Sequence, residues 1–164
     1  MLYFAYGSNL LPSRLLARTP SARAIGAGVL HGHRLCWHMA ARDGSGKCDV
    51  VVDAAARVHG VVWRLDPAEK PLLDAAETLG TGYDQRLVRV LAAGAELEAW
   101  TYVALRTDAA LQPYDWYRDI VVAGARHHGL PDDYVAALAG TPARPDPDDA
   151  RARLHRALIG PSDR

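Results

Sequence analysis

The residues best suited to chemistry fall in two short segments. The first is Tyr6-Gly7-Ser8-Asn9-Leu10, at the end of the apolar run Leu2 to Tyr6. Such a run, stopped by Gly-Ser-Asn, predicts a buried strand ending in a tight turn. Leu10, Leu11, Arg14, Leu15 and Leu16 have helical spacing, so a helix should follow, capped by Asn9 and closed by Pro20. A strand that feeds a helix through Gly-Ser-Asn aims several backbone N–H groups in one direction, and such a nest suits a carboxylate or an oxyanion. Gly7 allows close approach to the backbone. The plain alternative is a strand-to-helix turn with an Asn cap.

The second segment is Leu72-Leu73-Asp74-Ala75-Ala76-Glu77. Leu72, Leu73 and Ala76 should face a core, with Glu77 near the helix end, where the macrodipole disfavours a carboxylate. A partly buried acid there would titrate above the ordinary value of about 4.3 and could move protons. Asp74 is its neighbour on the helix, and repulsion between the two would push in the same direction. The plain alternative is a pair of solvated carboxylates.

The elements that must position these segments follow from the pattern along the chain. Arg23 to Ala40 reads as a long strand bent at Gly26, Gly28 or Gly32. Asp43 to Gly46 is a loop. Asp49 to Asp53 and His59 to Leu65 read as two strands joined by a turn at Ala55 to Arg57. Asp66 caps a helix with Pro67 at its first position, running to about Leu79. Tyr83 to Ala92 and Ala95 to Leu105 form a hairpin around Gly94. Tyr114 to His128 is a helix with Tyr117, Ile120, Val121 and Gly124 on one face, and Pro131 opens another through Leu138. After the Pro-rich stretch Thr141 to Pro147, a short helix carries Leu154 and Leu158 on its apolar side. Strands first, one interrupting helix, then helices: the order predicts an α+β fold, a small, mostly antiparallel, barrel-like sheet with helices on one side. The division is a domain over residues 1–140 and an appended linker and helix over 141–164.

The other polar signals are weaker. His31 and His33 share one strand face, Cys36 and His38 the other. Two pairs fall short of a four-ligand zinc set, so no metal site is expected. Cys36 and Cys48 form no CxxC motif and read as buried free thiols in a reducing compartment. His127-His128 sits where a helix end welcomes a cation.

Composition limits the classes of function. A chain of 164 residues and 17.8 kDa makes about one domain and buries roughly two-thirds of its surface without a staple. Lys+Arg and Asp+Glu are both 19, so no excess positive charge is available to displace counterions from nucleic acid. Of those 19 bases only Lys47 and Lys70 are lysine. The first residues carry neither a basic n-region nor a spanning apolar run, and a cytoplasmic protein is expected.

Taken together the motifs resemble the gamma-glutamylcyclotransferase-like family. The resemblance rests on Tyr6-Gly7-Ser8-Asn9-Leu10, Gly60-Val61-Val62-Trp63 and Leu73-Asp74 with Glu77. It continues with Pro113, Tyr117, Gly124-Ala125, Gly129-Leu130-Pro131 and Tyr134, so it spans residues 2 to 138. It implies a cytoplasmic, metal-independent enzyme of the acyltransferase or lyase type, without cofactors, within glutathione metabolism. The implied reaction releases an amine or amino acid from a gamma-glutamyl amide as 5-oxoproline forms. Glu77 would be the general base and then acid, and Tyr6, Gly7, Ser8, Asn9, Leu10, Tyr83 and Tyr117 would bind substrate. The partner is that small molecule; no nucleic acid or membrane partner is implied, and a homodimer is left open. Thr78 replaces a common glycine and Asp84 a common tyrosine, with Tyr83 one residue earlier. These departures keep a second class open, a non-catalytic binder of a small carboxylate ligand.

Overall fold

The computed structural model describes residues 1–160. The last four residues of the appended segment drawn at 141–164 lie outside the described residues. Five strands, β1 (Leu2–Ala5), β2 (Arg23–Ala40), β3 (Gly46–Arg64), β4 (Tyr83–Ala92) and β5 (Ala95–Ala104), close into a barrel in the order β1-β3-β2-β4-β5. Every pairing is antiparallel except that of β1 with β5, where Tyr3 lies opposite Trp100. The α+β class and the mostly antiparallel barrel thus match the sequence reading.

Two strand details differ from it or refine it. The turn placed at Ala55 to Arg57 does not exist: β3 is one strand of 19 residues. No Gly or Pro interrupts Lys47 to His59, and β2 pairs along most of its length. The misfit between the two long strands is taken up by register shifts at Ala24/Gly26, His31/His33 and Cys36/Met39. Gly26 and Gly32, with φ of 154° and 70°, stand at two of these shifts, as glycines in bent strands do.

The first helix starts later than predicted. A one-turn 3-10 helix, Ser8–Leu10, comes first, with Gly7 as its N-cap. α1 (Pro12–Leu16) then begins behind an extended Leu11, because a proline disfavours helical backbone in the residue before it. Asn9 is therefore not a cap, and its side chain is free for other partners. α2 (Lys70–Ala76) follows a 3-10 turn at Pro67–Glu69, where the Asp66 side chain accepts from the Ala68 N–H at 2.9 Å. It ends three residues short of Leu79, since Thr78 turns into the left-handed region at φ 50°. So short a helix has one core-facing position: Leu73 is buried, whereas Leu72 is 57% exposed and Ala76 is exposed too.

α3 (Asp115–His127) and α4 (Asp132–Ala139) lie beside the barrel. Ile120, Val121 and Gly124 of α3 are buried as the 3.6-residue spacing predicts. A Cβ at Gly124 would stand 2.5 Å from the Leu11 nitrogen and 2.6 Å from the Leu10 carbonyl carbon, so α3 presses on the chain just after the Ser8–Leu10 turn. α5 (Asp149–Arg156) packs on α3. Its inner face is Ala152 and His155, three residues apart; Leu154, expected on the apolar side, points away and is 70% exposed. Cys36 and Cys48 are free and buried.

Candidate active site

Where β1, the Ser8–Leu10 turn and the α2–β4 loop meet, the barrel end holds two adjoining hollows of about 260 Å³ and about 30 Å³. Ser8, Glu77, Tyr83 and Tyr117 line both. Tyr6, Gly7 and Asn9 line the smaller one. Leu10 lines neither: it is fully buried, under the backbone of α3 at Gly124.

Glu77 ends α2, and its N–H is still bonded to the Leu73 carbonyl at 2.9 Å. Beyond it the chain folds back at once, with the Thr81 and Gly82 N–H groups bonded to the Thr78 carbonyl at 3.0 and 2.8 Å. This tight loop brings Tyr83 beside Glu77. The Glu77 side chain is 16% exposed. Its Oε1 accepts from Asn9 Nδ2 at 3.0 Å and from Arg18 Nη1 at 2.6 Å. Asn9 Nδ2 also donates to the Tyr3 hydroxyl at 2.9 Å, and Arg18 Nη1 to Asn9 Oδ1 at 2.9 Å. Among the described residues, all hydrogen bonds to this carboxylate fall on Oε1, which leaves Oε2 for another partner.

The opening turn supplies donors of its own. Its internal bonds run from the Leu10 N–H to the Gly7 carbonyl (2.9 Å) and from the Leu11 N–H to the Ser8 carbonyl (3.3 Å). The Ser8 and Asn9 N–H groups therefore have no carbonyl within the turn, as at the start of any helix. Ser8 Oγ accepts from Arg14 Nε at 3.0 Å. A Cβ at Gly7 would lie 3.1 Å from Cys48 Cβ and 3.3 Å from the Tyr117 hydroxyl, so the turn sits tightly against β3 and α3.

Tyrosines make most of the inner wall. Tyr83 donates to the Cys48 carbonyl at 2.7 Å, Tyr117 accepts from the Cys48 N–H at 3.1 Å, and Tyr6 donates to the Tyr102 carbonyl. Burial pushes the phenols of Tyr3, Tyr6, Tyr83 and Tyr117 up, so they stay neutral and serve as wall and hydrogen-bonding groups, not as bases. Burial likewise pushes the Cys48 thiol up to about 12, far from the thiolate that nucleophilic sulfur requires.

Asp74, expected to crowd Glu77, is engaged elsewhere. Both its oxygens lie 2.7 Å from Lys70 Nζ, and it accepts from the Tyr102 hydroxyl at 2.6 Å. Asp84 lines neither hollow and pairs with Arg86 at 3.1 Å. His38, one of the strand histidines, is 2.8 Å from buried Asp49.

Sequence reasoning overlooked the cations. Arg14 and Arg18 are four residues apart directly behind the turn, a spacing that puts both on one side of a helix; that signal was available. Arg42 and Lys47 flank the β2–β3 turn and Arg106 follows β5, and only barrel closure brings them to the same hollow.

The AIG2-like family model matches residues 57–138, from within β3 through β4, β5 and α3 into α4. The gamma-glutamylcyclotransferase of Mus musculus is 31% identical over 144 residues, covering 84% of this chain and 76% of that protein. The gamma-glutamylcyclotransferase of Homo sapiens is 31% identical over 150 residues, with the same shares. A solved gamma-glutamyl cyclotransferase shares the fold with a TM-score of 0.85 at 24% identity, over 96% of this chain and 98% of its own. The chain belongs to the gamma-glutamylcyclotransferase family.

Proposed function

We propose that the protein is a cyclotransferase that closes the glutamyl part of a gamma-glutamyl amide into 5-oxoproline and releases the amine, with Glu77 moving the protons. The reaction is an internal aminolysis. The substrate's α-nitrogen forms a bond to its own γ-carbonyl carbon, and the bond from that carbon to the amide nitrogen breaks. The α-ammonium sheds two protons in becoming the lactam N–H; the departing nitrogen gains two and leaves as an ammonium. Because the nucleophile is tethered, the protein has only to fold the substrate and carry protons.

The supporting observation is that Glu77 lines both hollows and is held by Asn9 of the opening turn, while its Oε2 accepts no hydrogen bond from the described residues. The other carboxylate, Asp43, lines only the larger hollow and is tied to Lys47 at 2.9 Å and to Ser45 Oγ at 2.7 Å. Glu77 takes a proton as base and returns it as acid to the leaving nitrogen. The Ser8 and Asn9 N–H groups receive the α-carboxylate or the oxyanion at the γ-carbon, and Tyr6, Tyr83 and Tyr117 form the wall that bends the substrate. The reaction belongs to residues 1–140. The free, buried cysteines fit a reducing compartment, and the cytoplasm is proposed on that ground. No helix among the described residues is long and apolar enough to cross a membrane.

The test is 5-oxoproline release from a panel of gamma-glutamyl compounds by the parent and by Glu77→Gln, which keeps the shape but cannot shuttle a proton. Turnover should fall by about 10²- to 10⁴-fold. A variant as fast as the parent would remove Glu77 from the mechanism.

A further inference from the structure

The charge of the larger hollow is out of keeping with that of the molecule. The chain is neutral overall, yet five cations, Arg14, Arg18, Arg42, Lys47 and Arg106, line this hollow against two carboxylates, Asp43 and Glu77. Two of the cations are already matched: Arg18 by Glu77 at 2.6 Å and Lys47 by Asp43 at 2.9 Å. Arg14 lies deep, bonded to Ser8 Oγ and facing His155 Nδ1 at 3.3 Å, and makes no ion pair with a carboxylate among the described residues. Arg42 and Arg106 are exposed at the mouth, and among the described residues neither pairs with a carboxylate. The same two arginines, with Gly80, Thr81 and Leu105, line a shallower shelf of about 510 Å³ that continues the hollow outward.

Resting on the cyclotransferase reading, we propose that the preferred leaving group is an amine bearing two carboxylates, as in a gamma-glutamyl derivative of an acidic amino acid. The glutamyl part enters with an α-ammonium and an α-carboxylate, whose charges cancel. A leaving group with two carboxylates then sets one anion against each of the two exposed guanidiniums, Arg42 and Arg106. A leaving group with one carboxylate leaves a guanidinium without an anion, and a simple alkyl amine leaves two. The glutamyl part occupies the small hollow and the Glu77 end, so the leaving group extends past Arg42 and Arg106 onto the shelf. Guanidinium groups suit this role because each grips a carboxylate through two parallel N–H bonds.

The decisive comparison uses two substrates of the same shape. Gamma-glutamyl-glutamate and gamma-glutamyl-glutamine differ in one carboxylate against one amide. The parent should show kcat/KM about tenfold higher for the glutamate compound, the scale of one charge-assisted hydrogen bond. The ratio should fall towards one in the double variant Arg42→Gln, Arg106→Gln. Independently of any variant, it should fall as salt is raised from about 10 mM to 500 mM, since exposed charges are screened within a few ångströms at the upper value. A parent ratio of one or below, with both compounds releasing 5-oxoproline, overturns the proposal and leaves the cyclotransferase reading standing. So does a ratio unchanged in the double variant. Release of 5-oxoproline from neither compound, nor from gamma-glutamyl-alanine, removes the cyclotransferase reading and this inference with it.

Discussion

A single amide side chain connects the two ends of the proposed chemistry. Asn9 donates to Glu77 and accepts from Arg18, so the acid, the cation and the opening turn are one network. Replacing Asn9 with Leu removes these bonds, and the one to the Tyr3 hydroxyl, without removing the acid. The expected result is kcat lowered by about tenfold or more with a smaller change in KM, because the carboxylate loses its aim rather than its presence. Arg18→Met should act in the same sense. Steady-state kinetics at one pH, with a melting curve to verify folding, decides it: equal loss in kcat for a variant half unfolded at assay temperature would count against a positioning role. Glu77 and the turn were legible in the sequence because a carboxylate at a helix end and Gly-Ser-Asn after a strand are both locally unusual. Arg18 showed only through its spacing from Arg14, and its role depends on where the chain goes after α1.

At the scale of elements, α5 acts as a brace. Buried Asp146 accepts from Trp116 Nε1 at 2.7 Å and from Arg151, and Arg151 holds its carboxyl well below the usual carboxylate range. Ser13 Oγ donates to the Leu158 carbonyl at 2.8 Å, and the His155 ring stacks on Trp116 with centroids 4.0 Å apart. The C-terminal helix is thereby tied to α1 and α3, both of which carry site residues. Asp146→Ala leaves an indole N–H and a guanidinium without their acceptor and should cost about 2 kcal/mol, read as a lowered denaturant midpoint. The same brace is sensitive to acid. Burial, helped by Arg14 and Lys47, pushes His155 down to about 4, below the ordinary value of about 6.5. The unfolded chain therefore binds a proton that the folded chain refuses. The stability that follows is complete above pH 6.5 or so and is lost as pH falls from there to about 4. His155→Phe keeps the ring on Trp116 and should flatten that part of the Tm-against-pH curve; a curve as steep as the parent's would show that another group titrates. None of this was visible in the sequence: Leu158 packs against the core as expected, but Leu154 points away, because a helix of eight residues is too short for periodicity to fix its orientation.

For the whole molecule, the question is what brings segments 68 residues apart to within a hydrogen bond. The order of strands and helices was enough to read the α+β class, the β4–β5 hairpin around Gly94 and the buried face of α3. A barrel-like sheet was read as well, but not which strands close it: β1 lies between β3 and β5, and neither its antiparallel partner nor its parallel one is near it in sequence. Long-range pairing of this kind leaves no local pattern, which is also why Arg42, Lys47 and Arg106 could not be assigned to the larger hollow from the sequence. Gly60 on β3 is where closure can be tested. A Cβ there would lie 2.3 Å from the Ala5 carbonyl oxygen and 2.6 Å from the Phe4 ring, and the nearer atom is backbone that cannot swing aside. Gly60→Ala should push β1 away from β3 and cost about 3 kcal/mol, the upper part of the range for overpacking. Since β1 runs straight into Tyr6-Gly7-Ser8-Asn9, the same shift should lift the turn from Glu77 and lower kcat in the fraction that stays folded. Leu91→Ala, on a side chain half exposed on β4, should change stability by no more than about 0.5 kcal/mol. Chemical denaturation and 5-oxoproline release on both variants test the link. A Gly60→Ala protein that is less stable but turns over at the parent rate per folded molecule would show that the cradle is set by α3 pressing on the turn, not by the barrel beneath it.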